Sequence, residues 1–110
     1  MQVDCANVYV TDTKPPFEIR HNAAASRFEA TVDGLLCVAG YYLVDGVMRI
    51  HYTEVPAALE GRGIAGQLVH AAFAHAAATN LKVEPWCSYV RAYMKRHPES
   101  RALLPDDFAL

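Results

Sequence analysis

Arg27-Phe28-Glu29-Ala30-Thr31-Val32, then Asp33-Gly34, the run Leu35 to Val44, Asp45-Gly46 and the run Val47 to Val55 decide the architecture of this chain. Phe28, Ala30 and Val32 alternate with polar neighbours, the period of a half-buried strand. Asp-Gly is a strong two-residue hairpin signal, because glycine takes positive φ at no steric cost. Leu35 to Val44 is nearly all apolar and reads as a central strand buried on both faces. Two Asp-Gly turns separating three β-rich runs predict an antiparallel meander.

Working toward the N-terminus, Phe17-Glu18-Ile19-Arg20 also alternates and predicts an earlier strand. Asn22 to Ser26 has room only for a loop or a single turn. Lys14-Pro15-Pro16 marks a boundary, since prolines remove backbone donors and hold the preceding residue extended. Residues 1–16 are therefore an N-terminal extension or carry a short first strand, and residues 17–110 form the domain. Toward the C-terminus, Pro56 ends the meander. A helix is expected from Gly61 or Arg62 to about Thr79, with Ile64, Leu68, Ala71, Ala72, His75 and Ala76 on one stripe. The alanines from Ala71 to Ala78 favour a helix and let it lie close on a sheet. Asn80 is the expected stop. Leu81 to Trp86 predicts a short strand whose Pro85 places it at an edge or a strand end. Ser88 is placed to cap a last helix through His97, stopped by Pro98.

With 110 residues the chain has room for one domain with a single core. A hydrophobic fraction of 53% and a charged fraction of 20% belong to ordinary globular proteins. No apolar run approaches the roughly 20 residues of a membrane span, and the start lacks the basic and apolar stretches of a secretory signal. A cytoplasmic location with no membrane partner is the expectation. The net charge of −2 and the lack of a dense basic run argue against nucleic acid. Cys5, Cys37 and Cys87 are odd in number and far apart, neither a disulfide framework nor a zinc spacing. His70 and His75 sit five apart, where two ligands on one helical face need about four, so no metal is expected.

Gly61, Gly63 and Gly66 spell a G-x-G-x-x-G pattern. As a dinucleotide fingerprint it would follow the first strand of a parallel βαβ unit. Here it follows a meander, a proline and a connection, and only one helix-strand-helix run remains after it. The general physics still applies. Glycines admit close approach of a ligand to the backbone, and the first helical amides have no intrahelical acceptors. Together with the helix dipole those amides make an anion site suited to a pyrophosphate, and Arg62 adds a mobile charge. Taken alone, the same glycines also fit a tight turn with no ligand.

In its context the turn resembles a known one. Enzymes of the GNAT acetyltransferase superfamily carry Q/R-x-x-G-x-G/A between the fourth strand of a meander and a long helix. Glu60-Gly61-Arg62-Gly63-Ile64-Ala65 is similar in position and setting. The wider set His51-Tyr52-Thr53-Glu54-Val55-Pro56, Pro85-Trp86-Cys87-Ser88-Tyr89-Val90, Tyr93 and His97-Pro98-Glu99 resembles a small subgroup, the YjdJ-type predicted acetyltransferases, over about residues 17–104. The resemblance implies an α+β fold of the GNAT three-layer type, truncated to a meander followed by helix-strand-helix. It implies acetyl-CoA as cosubstrate, held by Glu54, Val55, Gly61, Arg62, Gly63, Ile64, Ala65 and Gly66, and an amine as acceptor. Two departures stand out. Glu60 replaces the usual Gln or Arg and sets a carboxylate beside the phosphates. The helical region that helps build the acceptor wall in larger members is nearly absent.

Acetyl transfer needs a neutral amine, a polarised thioester and an acid for the leaving thiolate. Glu54, on the strand that splays in GNAT enzymes, is a candidate base or a solvent-facing carboxylate. His51, three residues earlier, is expected on the opposite strand face from Glu54, and so in a cross-strand role as readily as a catalytic one. Cys87 lies between a strand end and a helix start, where free amides stabilise a thiolate. The resemblance makes it the candidate catalytic cysteine, against an inert buried thiol. Tyr89 and Tyr93 share a helical face, and by position the resemblance assigns Tyr93 as the acid and Tyr89 to packing. Three function classes follow: an N-acetyltransferase, a non-catalytic CoA-binding module, and an interaction domain without CoA. Neither the acceptor nor the oligomeric state is written in the sequence.

Overall fold

The computed structural model describes residues 17–110. The expectations for residues 1–16, Cys5 included, fall outside the described residues. Strands β1 (Arg20–Asn22), β2 (Arg27–Val32), β3 (Leu35–Val44) and β4 (Val47–Glu54) are followed by helix α1 (Ile64–Ala78), strand β5 (Lys82–Pro85) and helix α2 (Ser88–Arg96). Short 3-10 turns occupy Ala23–Ala25, Ala57–Leu59 and Pro98–Leu103. The five strands lie in chain order, antiparallel from β1 to β4, with β5 parallel to β4. Helix α1 supplies the crossover that a parallel pair requires. The result is the mixed α+β arrangement of a small GNAT-type fold.

The meander forms for the reason the sequence suggests. Asp33 and Gly34 have φ of 53° and 77°, and Asp45 and Gly46 have 50° and 78°. Both central residues are left-handed in each turn, matching the right-handed twist of the strands they join. The apolar run of β3 departs from expectation. Only Cys37 to Tyr41 is buried, while Leu35, Leu36, Tyr42, Leu43 and Val44 are exposed. The expected two-sided cover holds for that middle stretch only, where Val38 and Gly40 are buried on the outer face with Tyr52 against Gly40, while the helical layer covers the inner face alone.

The covered face is set by register. Phe28 and Ala30 on β2 face Ala39 and Cys37 on β3, and Met48 and Ile50 on β4 share a parallel register with Val83 and Pro85 on β5. These residues join Ile64, Leu68, Val69, Ala72, Phe73 and Ala76 of α1 and Val90 and Met94 of α2 in one core. Ala72 and Ala76 present almost no side chain, so α1 lies close to β2 and β3. Phe73 is the largest fully buried side chain, and truncation to alanine at such a site costs about 3–5 kcal/mol. Ala71 and His75, expected on the buried stripe, are only half-buried.

Several boundaries move. The first strand begins at Arg20 rather than Phe17. Helix α1 starts at Ile64 instead of Gly61 or Arg62, because Gly61 and Gly63 hold φ of 86° and 77° and cannot join a right-handed helix. In α2 the cap position falls on Cys87, not Ser88, and the helix ends at Arg96.

The β3–β4 ladder carries one irregularity. Gly40 pairs with Tyr52, but Tyr41 pairs with Ile50, so His51 is an extra residue in β4. Such a bulge resets the alternation of side chains beyond it.

Candidate functional site

Strands β4 and β5 pair only as far as Ile50 and Pro85. There the Ile50 carbonyl accepts from the amides of both Trp86 (3.0 Å) and Cys87 (3.1 Å), and the chain turns into α2. Strand β4 continues to Glu54, paired with β3 alone through Ala39–Thr53 and Val38–Glu54. The two strands therefore splay, and a gap opens between the end of β4 and the start of α2.

The gap is the mouth of a cleft of about 430 Å³. One wall is Thr53, Glu54 and Val55 from the strand end. The floor is the connection Leu59, Glu60, Gly61 and Gly63, continuing into Ile64 and Ala65 of α1. Tyr89 of α2 closes the other side. No side chain caps α1, so its first amides are left for a ligand. Both positive-φ glycines of the turn have nothing within 4 Å of where a Cβ would stand. Backbone donors at a helix N-terminus, bare glycines and an unpaired strand end fit a pyrophosphate with an extended arm running along β4.

A sequence profile described as GCN5-related N-acetyl-transferase matches residues 27–103, from β2 through the last 3-10 turn. The chain belongs to this family. Curated relatives named "Protein NATD1" are 31% identical over 86 residues in Gallus gallus and Mus musculus, covering 76% of this chain and 78% of each relative. The protein of that name in Homo sapiens is also 31% identical over 86 residues, covering 76% of both chains.

Of the residues the family resemblance singles out, Glu54, Val55, Gly61, Gly63, Ile64 and Ala65 all line the cleft. Arg62 does not. Its guanidinium donates to Asp33 at 3.0 Å, tying the turn to the β2–β3 hairpin across two exposed side chains. Gly66 is the third residue of α1, where a Cβ would stand 3.3 Å from the Tyr89 hydroxyl. Glu60 is exposed and lines the cleft beside the glycines of the turn.

Cys87 stands just behind the wall. Its Sγ lies 3.8 Å from the Thr53 hydroxyl, and Thr53 does line the cleft. The Cys87 side chain makes no capping bond to α2, and its own amide is taken by Ile50. Tyr93 lies a turn deeper, T-shaped on Phe73 at 5.5 Å and stacked on His97 at 4.2 Å. Burial pushes its phenol up, with Tyr89 adding to the effect. Tyr89 rather than Tyr93 reaches the cleft.

His51 is stacked on Tyr42 at 4.1 Å, away from the core. Simple alternation opposes it to Glu54, but the bulge at His51 puts both on the outer sheet face. Leu59 joins the cleft without having been marked by the sequence, and so does Thr53, which the sequence quoted only inside the His51–Pro56 motif and gave no role. Leu59 carries a weak signal as an apolar residue inside a connection, whereas a role for Thr53 follows only from the splay.

Proposed function

We propose that the cleft binds acetyl-CoA and that the protein transfers the acetyl group to a primary amine. The observation that supports this most is convergence: the glycine turn, the free end of β4 and Tyr89 line one cleft. The turn amides would hold the phosphates, and the exposed backbone of Thr53 to Val55 would take the pantetheine arm. When bound, acetyl-CoA supplies an activated thioester. Glu54, at the strand end, takes the proton from the incoming ammonium directly or through water. The N–C bond would form as the C–S bond breaks, the Tyr89 phenol giving its proton to the departing thiolate and regaining one from the acylated nitrogen, which thereby becomes the neutral amide. Tyr93 supports Tyr89 from the core side. In the cysteine-assisted route, Cys87 passes its proton to the CoA thiolate as it takes the acetyl group, then recovers a proton when the amine removes that group.

A second reading, a CoA-binding module without turnover, is favoured by Glu60 in the cleft floor and by the single 3-10 turn where larger members build their acceptor wall. The first test is thermal. Acetyl-CoA at 100 times its Kd adds about 2.7 kcal/mol, a rise of roughly 10 °C or more for a domain of this size. No shift at millimolar ligand refutes the cofactor assignment, and binding without turnover over an amine panel selects the second reading. Intact-mass analysis after incubation should show an acetyl adduct absent from Cys87→Ala; full turnover by that variant removes the nucleophile role. Tyr89→Phe should lower kcat more than Tyr93→Phe.

A further inference from the structure

Among the described residues no element covers the sheet face turned away from the core, which is aromatic and exposed around the buried centre Val38 and Gly40. Register places Leu36, Tyr42, Arg49, Tyr52 and Glu54 on it, and Trp86 continues it past β5. Tyr42, Trp86 and Leu36 are 60%, 57% and 46% exposed. One row crosses three strands: Tyr42 opposite Arg49, and the Arg49 guanidinium 5.3 Å from the Trp86 ring. From this row the Tyr42–His51 stack leads to Tyr52, edge-on to His51 at 4.7 Å, and then to Glu54.

Charge on this face is uneven in a way that selects an occupant. Glu84 pairs with Arg49 at 3.1 Å and also accepts from the Trp86 ring N–H at 2.8 Å. Arg27 is paired with Glu29. Arg49 and Arg27 are thus matched, Arg20 stands opposite Glu29 on β1, three strands away from Glu54, and among the described residues the Glu54 carboxylate has no ion-pair or hydrogen-bond partner. An unmatched carboxylate at the end of a strip of aromatic faces attracts an ammonium group. The strip is also too long for a small amine. Three strands span about 10 Å, and Arg49 to Glu54 about 15 Å.

We propose that this outer face docks an acceptor polypeptide, with apolar side chains on Tyr42 and Trp86 and a lysine or N-terminal amine at Glu54. The proposal rests on the acetyltransferase reading and names its substrate class. It makes Tyr42 and Trp86 specificity residues that act through the acceptor alone.

Trp86 is the sole tryptophan of the chain, so its fluorescence reports occupancy without any chemistry. The probe is an N-terminally blocked decapeptide with a central lysine and Leu and Phe flanks; the controls are the same peptide with Ala flanks, butylamine, and anionic phospholipid vesicles. The flanked peptide should shift Trp86 emission, and Tyr42→Ala should weaken its binding about tenfold, the loss typical of an aromatic anchor. In turnover, Tyr42→Ala should raise the peptide KM about tenfold and leave butylamine acetylation and the acetyl-CoA thermal shift unchanged. Peptide binding without any acetyl-CoA shift supports the docking face and sinks the acetyltransferase reading. An acetyl-CoA shift with no peptide response, equal binding by the Ala-flanked peptide, or a response to vesicles alone overturns the docking proposal.

Discussion

Gly40 gives the sharpest test of the sheet because its effect on stability should change sign with one distant residue. The Tyr52 ring lies flat across Gly40 on the neighbouring strand. A Cβ at position 40 would stand 2.5 Å from Tyr52 Cζ and 2.8 Å from Oη, and closer still to Cε1. Carbon atoms in contact sit about 3.5–4.0 Å apart, so the ring must leave its place rather than adjust. Overpacking of this kind costs about 1–3 kcal/mol. The backbone at Gly40 is outside the left-handed region, so alanine suits it and recovers about 0.5–1 kcal/mol of strand stability. Gly40→Ala should therefore lose about 1–2 kcal/mol in the natural chain but gain about 0.5–1 kcal/mol in a Tyr52→Ala background. Urea unfolding of the four proteins measures the coupling, expected near 2 kcal/mol. Equal effects in both backgrounds, agreeing within about 0.5 kcal/mol, would refute the packing of Tyr52 on Gly40.

Glu60→Gln should tighten acetyl-CoA binding about two- to fivefold at low salt, with the gain shrinking at high salt; no change means the carboxylate points away from the phosphates. Gly66→Ala should raise the melting temperature through a helix gain of about 1 kcal/mol, while the new Cβ pushes the Tyr89 hydroxyl and weakens acetyl-CoA binding. A rise in stability with unaltered affinity would exclude Tyr89 from the binding surface. Burial, then repulsion from His75, holds His21 below the ordinary histidine range, and burial followed by His97 does the same for His70. The unfolded chain then binds more protons, so stability is complete above about pH 6.5 and falls as pH drops below it. Glu29, held low by Arg27, loses its contribution only below the ordinary carboxylate range, which leaves the range from about pH 6.5 down to about 5 to the histidines. His21→Asn and His70→Asn should each flatten the melting-temperature slope across that window; natural slopes in both would sink this assignment.

The meander is legible because its signals are local. Asp33-Gly34 and Asp45-Gly46 dictate turns that only a two-residue hairpin satisfies, and the alternation from Phe28 to Val32 fixes the buried face. What covers each face is a long-range matter. The apolar run of β3 reads as covered twice because hydrophobicity reports a preference for burial, not the presence of a covering element. Tyr42, Leu43 and Val44 keep that preference and remain exposed. The start of α1 has a local answer that periodicity obscures. Ile64 begins the apolar stripe, but the positive φ at Gly61 and Gly63 has to be inferred from residue type.

The site is legible in its backbone half and obscure in its side-chain half, and one inserted residue explains the difference. The glycine turn and the strand end before it are adjacent in sequence, so their convergence on one cleft follows from order alone. His51 and Glu54 are separated by an odd step, which in a regular strand opposes them. The bulge at His51 cancels that step. Its signal is cross-strand rather than local: Gly40, lacking a Cβ, is where Tyr52 can lie down, and the ladder slips between Gly40 and Tyr41. The same slip carries His51 onto Tyr42 and aligns an aromatic strip with Glu54. Thus Gly40, a residue with no side chain and no place in the cleft, sets which groups stand beside the candidate base. Its substitution should disturb the acceptor side of the site while leaving the glycine turn intact.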